Sequence, residues 1–223
     1  MVSWSCGEDR GGIPFDPDCQ RCPRLAGFLG EVRKAHPGYF ARPVPSFGAT
    51  GPRLLVVGLA PGLHGANATG RPFTGDYAGE LLYRTLHQKG FSSAAESVAH
   101  DDGLELSDCR ITNAVRCVPP QNKPVAEEVR NCLPYLRDEL SSTGRDAVML
   151  ALGTIAHKAV ISALALRQRE FAFAHGAEHT LPDGRILLDS YHCSRYNTQT
   201  RRLTADMFGA VVGRARELLD RQV

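Results

Sequence analysis

Apolar residues along this chain come in short continuous runs, and stretches with helical spacing lie between them. Arg53-Leu-Leu-Val-Val57 is built from leucine and valine and closes on Gly58. A run of that length ending in glycine predicts a strand buried on both faces. From Asp76 to Gly90, Leu81, Leu82, Thr85 and Leu86 share one face. That spacing predicts a helix with Asp76 at its N-cap and Gly90 as its stop. Arg110–Val115 predicts a second strand. Pro124–Leu140 carries apolar residues at Val125, Val129, Leu133 and Leu136, with Glu127 and Glu128 in its first turn, where the helix dipole favours them. Asp146–Leu152 predicts a third strand, and Gly153 opens a helix running to about Arg167. Leu181-Pro-Asp-Gly-Arg185 is a turn, Ile186–Tyr191 a fourth strand, and Thr204–Leu219 a last helix. Strands that alternate with helices predict an α/β domain with a largely parallel central sheet.

Residues 1–52 are rich in proline, glycine and charge and contain one short helical stretch near Leu25–Ala35. They read as an extended lead-in, most clearly over residues 1–18. Without a repeat or linker, the 223 residues are expected to form a single domain over 1–223. At 43% hydrophobic and 22% charged, the chain can bury a substantial core. A net charge of +2 neither requires nor excludes a nucleic-acid partner. No apolar run approaches the roughly 18–20 residues that span a bilayer. The start, Met1-Val-Ser-Trp-Ser-Cys-Gly-Glu-Asp-Arg10, lacks a basic and then apolar signal pattern. The expectation is therefore a cytoplasmic protein with no membrane contact, whose cysteines are reduced or metal-bound.

The long segment Gly58–Asp76, rich in glycine, follows the first predicted strand. In open α/β sheets ligands sit beyond the C-terminal ends of the strands. Glycine lets the backbone approach a ligand closely, and the next helix offers free N–H groups. Neither GxxxxGK[ST] nor GxGxxG occurs here, which counts against a nucleotide phosphate. A structural crossover loop is the plainer alternative. Cys19-Gln-Arg-Cys22 is a CxxC pair, and Cys117 and Cys132 form a wider one. Four thiolates can hold zinc or an iron–sulfur cluster; scattered buried cysteines remain the alternative. Cys6, Cys109 and Cys193 are left over, with Cys109 expected in the core.

Several elements then fall in one order: Gly58-Leu-Ala-Pro-Gly62, Gly70-Arg-Pro-Phe-Thr-Gly-Asp76, Thr112-Asn-Ala-Val-Arg-Cys117 and His192-Cys-Ser194. Together with the two cysteine pairs they resemble the iron–sulfur uracil-DNA glycosylases, in particular family 5 (type B), over about residues 19–208. The resemblance implies a three-layer sandwich around a mostly parallel four-stranded sheet. It implies a monofunctional glycosylase that removes uracil, and other deaminated bases such as hypoxanthine, from DNA in base excision repair. It implies a 4Fe–4S cluster on Cys19, Cys22, Cys117 and Cys132 and action on single- or double-stranded DNA; the protein is expected to be a monomer. Family 4 carries an acidic residue where this chain has Leu59, and the family 5 likeness moves that role to Asp76. Many relatives read His-Pro-Ser where this chain has His192-Cys-Ser194.

A glycosylase must draw the nucleotide out of the stack into a pocket. Phe73 is the expected stacking face, or else a core phenylalanine. Asn113 offers a donor and an acceptor to a base edge, or else caps a turn. His192 is placed to hydrogen-bond the base carbonyl where charge develops, with backbone groups of Gly58, Leu59, Ala60 and Gly62 beside it. Asp76 would stabilise an oxocarbenium-like sugar and orient water, or else serve only as a cap. Ser194–Arg202 resembles the loop that enters the duplex in this superfamily, with Arg195, Tyr196 and Asn197 as DNA contacts; a solvated basic loop is the alternative. A non-catalytic damaged-DNA-binding module held together by a metal cluster is a second function class; a small-molecule α/β enzyme and an iron–sulfur electron carrier are further alternatives.

Overall fold

The computed structural model describes residues 13–221. Six strands form one sheet: β1 (Phe47–Gly48), β2 (Leu54–Gly58), β3 (Cys109–Asn113), β4 (Val148–Leu152), β5 (Glu178–Thr180) and β6 (Ile186–Ser190), in the order β1-β3-β2-β4-β6-β5. The inner four are parallel and are the four strands expected from the apolar runs. The sheet is nevertheless six-stranded and mixed, because β1 and β5 add antiparallel edges. β1 is two residues long in a proline-rich stretch, and β5 is Glu-His-Thr, half-exposed; neither carries an apolar run or an alternation that marks a strand.

The helices are α1 (Pro23–Ala35), α2 (Ala66–Thr69), α3 (Tyr77–Gln88), α4 (Ala126–Ser141), α5 (Thr154–Ala163), α6 (Arg195–Gln199) and α7 (Ala205–Asp220). Successive residues of β2 face opposite sides of the sheet. Leu54 and Val56 pack with Leu82 and Leu86 of α3 and with Phe208 and Val212 of α7. Leu55 and Val57 pack with Leu136 and Leu140 of α4 and with Val160 of α5. Both sheet faces are therefore covered by helices, in three layers, which is why the inner strands read as unbroken apolar runs. A third, smaller cluster joins Leu25 and Leu29 of α1 to Val115 and Val118, just beyond β3.

The expected helix starts are realised through specific caps. The Asp76 side chain accepts from Gly79 N–H at 2.9 Å, and Thr204 caps α7 by accepting from Met207 N–H at 3.2 Å. Glu128 reaches back to Val125 N–H at 2.8 Å and closes the first turn of α4. β2 connects to β3 on one side through α3, and β4 connects to β6 on the other through α5. The C-terminal ends of β2 and β4 thus flank a switch point, where an open α/β sheet leaves a crevice. Among the described residues no helix is long and apolar enough to cross a membrane.

Candidate active site

That crevice is a cavity of about 570 Å³. The segment after β2 lines it with Leu59, Ala60 and Gly62, and the end of that segment adds Phe73 and Asp76. Asn113 enters from the last position of β3, and His192 and Arg195 enter from beyond β6. One space therefore collects groups distant in sequence. Gly58 is paired with Asn113 in the β2–β3 register. A Cβ on Gly58 would stand 2.6 Å from the Phe73 ring and would also strike Asn113 Oδ1, so the close approach of backbone to both groups requires glycine.

Each central group is held in an unusual state. Asn113 is buried, and its Oδ1 has no hydrogen-bond partner among the described residues. Phe73 has φ 54°, in the left-handed region that a bulky residue rarely adopts. Its ring lies nearly parallel to the His192 ring, at 27° with centroids 5.9 Å apart. Burial pulls the His192 imidazole down to about 4, so it is neutral near pH 7. Burial pushes the Asp76 carboxyl up, against the N–H groups of Gly79 and Ala78 that favour its charge. One Asp76 oxygen caps α3, and the other faces Gly62, where an added Cβ would lie 3.1 Å from it.

The expected duplex-entering loop is largely the short helix α6, capped by Ser194. Tyr196 is 72% exposed and stands outside the cavity. The Arg195 guanidinium lies 6.0 Å from the centre of the Tyr77 ring. Asn197 turns inward instead: its Nδ2 donates to the His192 carbonyl at 2.8 Å and ties α6 to the turn carrying the imidazole.

The four cysteines singled out in the sequence also converge. Cys19 precedes α1, Cys22 is its N-cap, Cys117 follows β3 and Cys132 lies within α4. All four line one small cavity. Burial pushes the Cys117 thiol well up, and the other three thiols add to that shift. Cys109 opens β3 in the core as expected, Cys193 is also buried, and Cys6 lies outside the described residues.

The uracil DNA glycosylase superfamily model matches residues 45–216, a span that holds the whole sheet and the lining of the larger cavity. The chain belongs to this superfamily. Within it the chain is similar to the type-5 uracil-DNA glycosylase of Thermus thermophilus, 49% identical over 205 residues that cover 90% of this chain and 93% of the relative. The type-5 enzyme of Pyrobaculum aerophilum is 42% identical over 202 residues, covering 89% and 88%. The type-5 enzyme of Mycobacterium leprae is 40% identical over 208 residues, covering 90% and 91%. These likenesses place the chain in the type-5 family.

In this type-5 family member, two supporting networks escape sequence reasoning. The first holds the Phe73 turn. Arg71 is buried, donates to Asp102 Oδ1 at 2.6 Å and to Ser97 Oγ at 3.0 Å, and also bonds the His100 carbonyl. Burial pushes the Asp102 carboxyl up, but Arg71 and the N–H groups of Leu104, Val98 and Ala99 outweigh it and hold it below the usual carboxylate range. Tyr83 Oη donates to the Pro72 carbonyl at 2.9 Å, next to Phe73. The second network steadies the end of β6. His157 Nδ1 meets Asp189 Oδ1 at 2.8 Å and its Nε2 meets the Phe171 carbonyl at 2.9 Å, while His179 Nε2 meets Asp189 Oδ2 at 3.2 Å. Burial pulls His157 down, yet the Asp189 hydrogen bond and charge outweigh it, and its pKa ends above the ordinary histidine value. Acceptors lie at both ring nitrogens, which favours the imidazolium. The residues of both networks lie far apart in sequence, and the one local signal for them is Arg71, within the Gly70–Asp76 motif.

Proposed function

We propose that this chain is a single-domain, monomeric DNA glycosylase. It hydrolyses the N-glycosidic bond of uracil in DNA, and of other deaminated bases such as hypoxanthine, as the first step of base excision repair. The observation that carries this reading is the orphaned Asn113 Oδ1, buried in a cavity shared with Asp76 and His192. Leaving a buried acceptor unpaired costs about 1–3 kcal/mol, and a ligand with a matching N–H recovers it. The imide edge of uracil offers such an N–H. The expected place of action is the cytoplasm, with the DNA.

The nucleotide leaves the stack and its base enters the cavity. Phe73 supplies the stacking face. A base held between two rings needs them about 7 Å apart, twice the usual contact distance. Phe73 and His192 are 5.9 Å apart, so His192 meets the base at its edge. As a neutral imidazole it donates an N–H to the base carbonyl that gathers charge as the glycosidic bond breaks. Asn113 reads the base edge, and the N–H groups near Leu59, Ala60 and Gly62 assist. The ionised Asp76 oxygen that does not cap α3 stabilises the cationic sugar and orients the water that attacks its anomeric carbon. Leu59 lines the cavity without an acidic group, which leaves this part to Asp76. Arg195 and Tyr196 meet the DNA, and Asn197 acts there through the His192 turn.

The cysteine cavity fits an iron–sulfur group better than a zinc ion. Zinc at about 2.3 Å from four sulfurs brings them roughly 3.8 Å apart. Among the described residues, the one set of three metal-ligating side chains within 4.8 Å of each other is His157, His179 and Asp189, so no three of these cysteine sulfurs are that close. The wider spread suits a 4Fe–4S cluster on Cys19, Cys22, Cys117 and Cys132. When bound, that group ties the segment before α1, the segment after β3 and α4 to one another.

The test is strand breakage by alkali at a single uracil in end-labelled DNA after incubation with the protein. Breakage that depends on Asp76 and His192 supports the reading. No breakage on uracil or hypoxanthine, with retained affinity for the DNA, leaves a binding module.

A further inference from the structure

Arg116 stands between Val115 and Cys117, just beyond β3, and its side chain is buried. One terminal nitrogen donates to Glu139 Oε1 at 2.9 Å and the other to the Val44 carbonyl at 3.4 Å. Its Nε–H is a buried donor with no partner among the described residues. An unmade hydrogen bond on a buried cation is costly, and native structures seldom leave one without a purpose.

The hydrogen-bonded charge around Arg116 is also unbalanced. Glu139 is shared with Arg110, whose Nε donates to Oε2 at 2.6 Å, and it also bonds Ser46 Oγ. Two guanidinium groups share one hydrogen-bonded carboxylate in a largely buried cluster, and Asp138 adds only a longer-range charge. Asp138, the next acid, is exposed. The counterpart is to be sought on the side where Arg116 lines the cavity of Cys19, Cys22, Cys117 and Cys132. Donors already serve sulfur there, since Asn131 Nδ2 lies 3.5 Å from Cys22 Sγ.

We propose that Arg116 is a ligand-tuning residue: its Nε–H donates to a sulfur of the iron–sulfur group held by the four cysteines, and its charge raises the reduction potential of that group. The inference rests on the four-cysteine reading above. Four thiolates give such a group a net negative charge that grows on reduction, so an adjacent cation and N–H donor favour the reduced form. Arg116 also couples the group to the fold, because the same guanidinium anchors Glu139 of α4.

The test compares wild-type protein, Arg116→Lys and Arg116→Gln, each purified without oxygen. Iron, sulfide and absorbance near 400 nm report whether the group is present; film voltammetry reports its potential. The expected order is wild type highest, lysine lower because it keeps the charge without the fixed Nε–H, and glutamine lowest, with faster loss of iron to a chelator. Equal potentials in all three overturn the proposal. Should either variant fail to fold, pulsed EPR on the reduced wild type grown with guanidinium-¹⁵N arginine decides. A ¹⁵N coupling supports the Nε–H contact, and its absence overturns it. Wild-type protein without iron would refute the four-cysteine reading itself, an outcome distinct from an unmoved potential.

Discussion

Asp76 is placed to do two jobs at once, and substitution separates them. Its Oδ1 caps α3 through Gly79 N–H at 2.9 Å, while its Oδ2 faces the cavity at Gly62. Asparagine caps a helix about as well as aspartate. Burial places the folded pKa of Asp76 above its ordinary value, so the ionised form weakens the fold at every pH above that ordinary value. Asp76→Asn removes this charge and keeps the cap, so its melting temperature should equal or exceed that of the wild type. Asp76→Ala removes the charge but also the cap, worth about 1 kcal/mol, so it should melt roughly 2–4 °C below Asp76→Asn in a domain of this size. On the proposed mechanism, both variants lose the charge that faces the sugar. Removing one preorganised electrostatic group costs about 10²–10³ in rate, about 2.7–4 kcal/mol. Single-turnover excision of uracil should therefore fall by that factor in both, while DNA affinity changes little. The wild-type rate should also decline on acidification at a pH above the ordinary aspartate range, because activity needs the ionised form, and Asp76→Asn should lack that limb. A single-turnover rate for Asp76→Asn equal to the wild type would refute the assignment and leave Asp76 as a cap alone.

Other groups give equally direct outcomes. Asn113→Ala should slow excision by about 10²-fold or more without lowering thermal stability, because it removes an unpaired buried acceptor as well as packing; a large loss of stability would mean that Asn113 holds the fold instead. His192 is neutral down to about pH 4, so excision between pH 6 and 8 should show no histidine limb that disappears in His192→Gln, and such a limb would show that the imidazolium is the working form. Tyr196→Ala should slow processing of duplex more than of single-stranded uracil DNA, and an unchanged preference would exclude a wedge.

The inner sheet and the principal helices are legible in the sequence because each carries a periodic signal. Leu54–Gly58 and Val148–Leu152 are apolar throughout because both of their faces are covered. β1 and β5 leave no such trace, since an edge strand of two or three residues is selected by its neighbour's free N–H and C=O groups rather than by its own side chains. α6 is too short to show a helical period, and its Ser194 cap is visible only once the backbone is known. The cavity residues lie in motifs that could be quoted in order, so their convergence was accessible from the chain. Their states were not. That Phe73 is left-handed, that Asn113 lacks a partner and that His192 is neutral all follow from packing between segments distant in sequence.

Those states explain why so much polar structure is buried outside the cavity. A left-handed non-glycine residue costs roughly 1–2 kcal/mol, and the orphaned Asn113 acceptor about 1–3 kcal/mol more. Against a total stability of about 5–15 kcal/mol, such terms persist only where the surroundings leave no cheaper arrangement. Arg71, Asp102 and Tyr83 fix the backbone just before Phe73, and His157, Asp189 and Asn197 fix the strand end and turn that present His192. None of these polar contacts needs to touch the base. Drawing a nucleotide from the stack already costs a few kcal/mol, so a pocket that also had to reorganise on binding would add a second cost to the first. On the proposed function, the buried ion pairs serve a site set in advance, and the cost of the unpaired Asn113 acceptor is recovered when the extruded base binds.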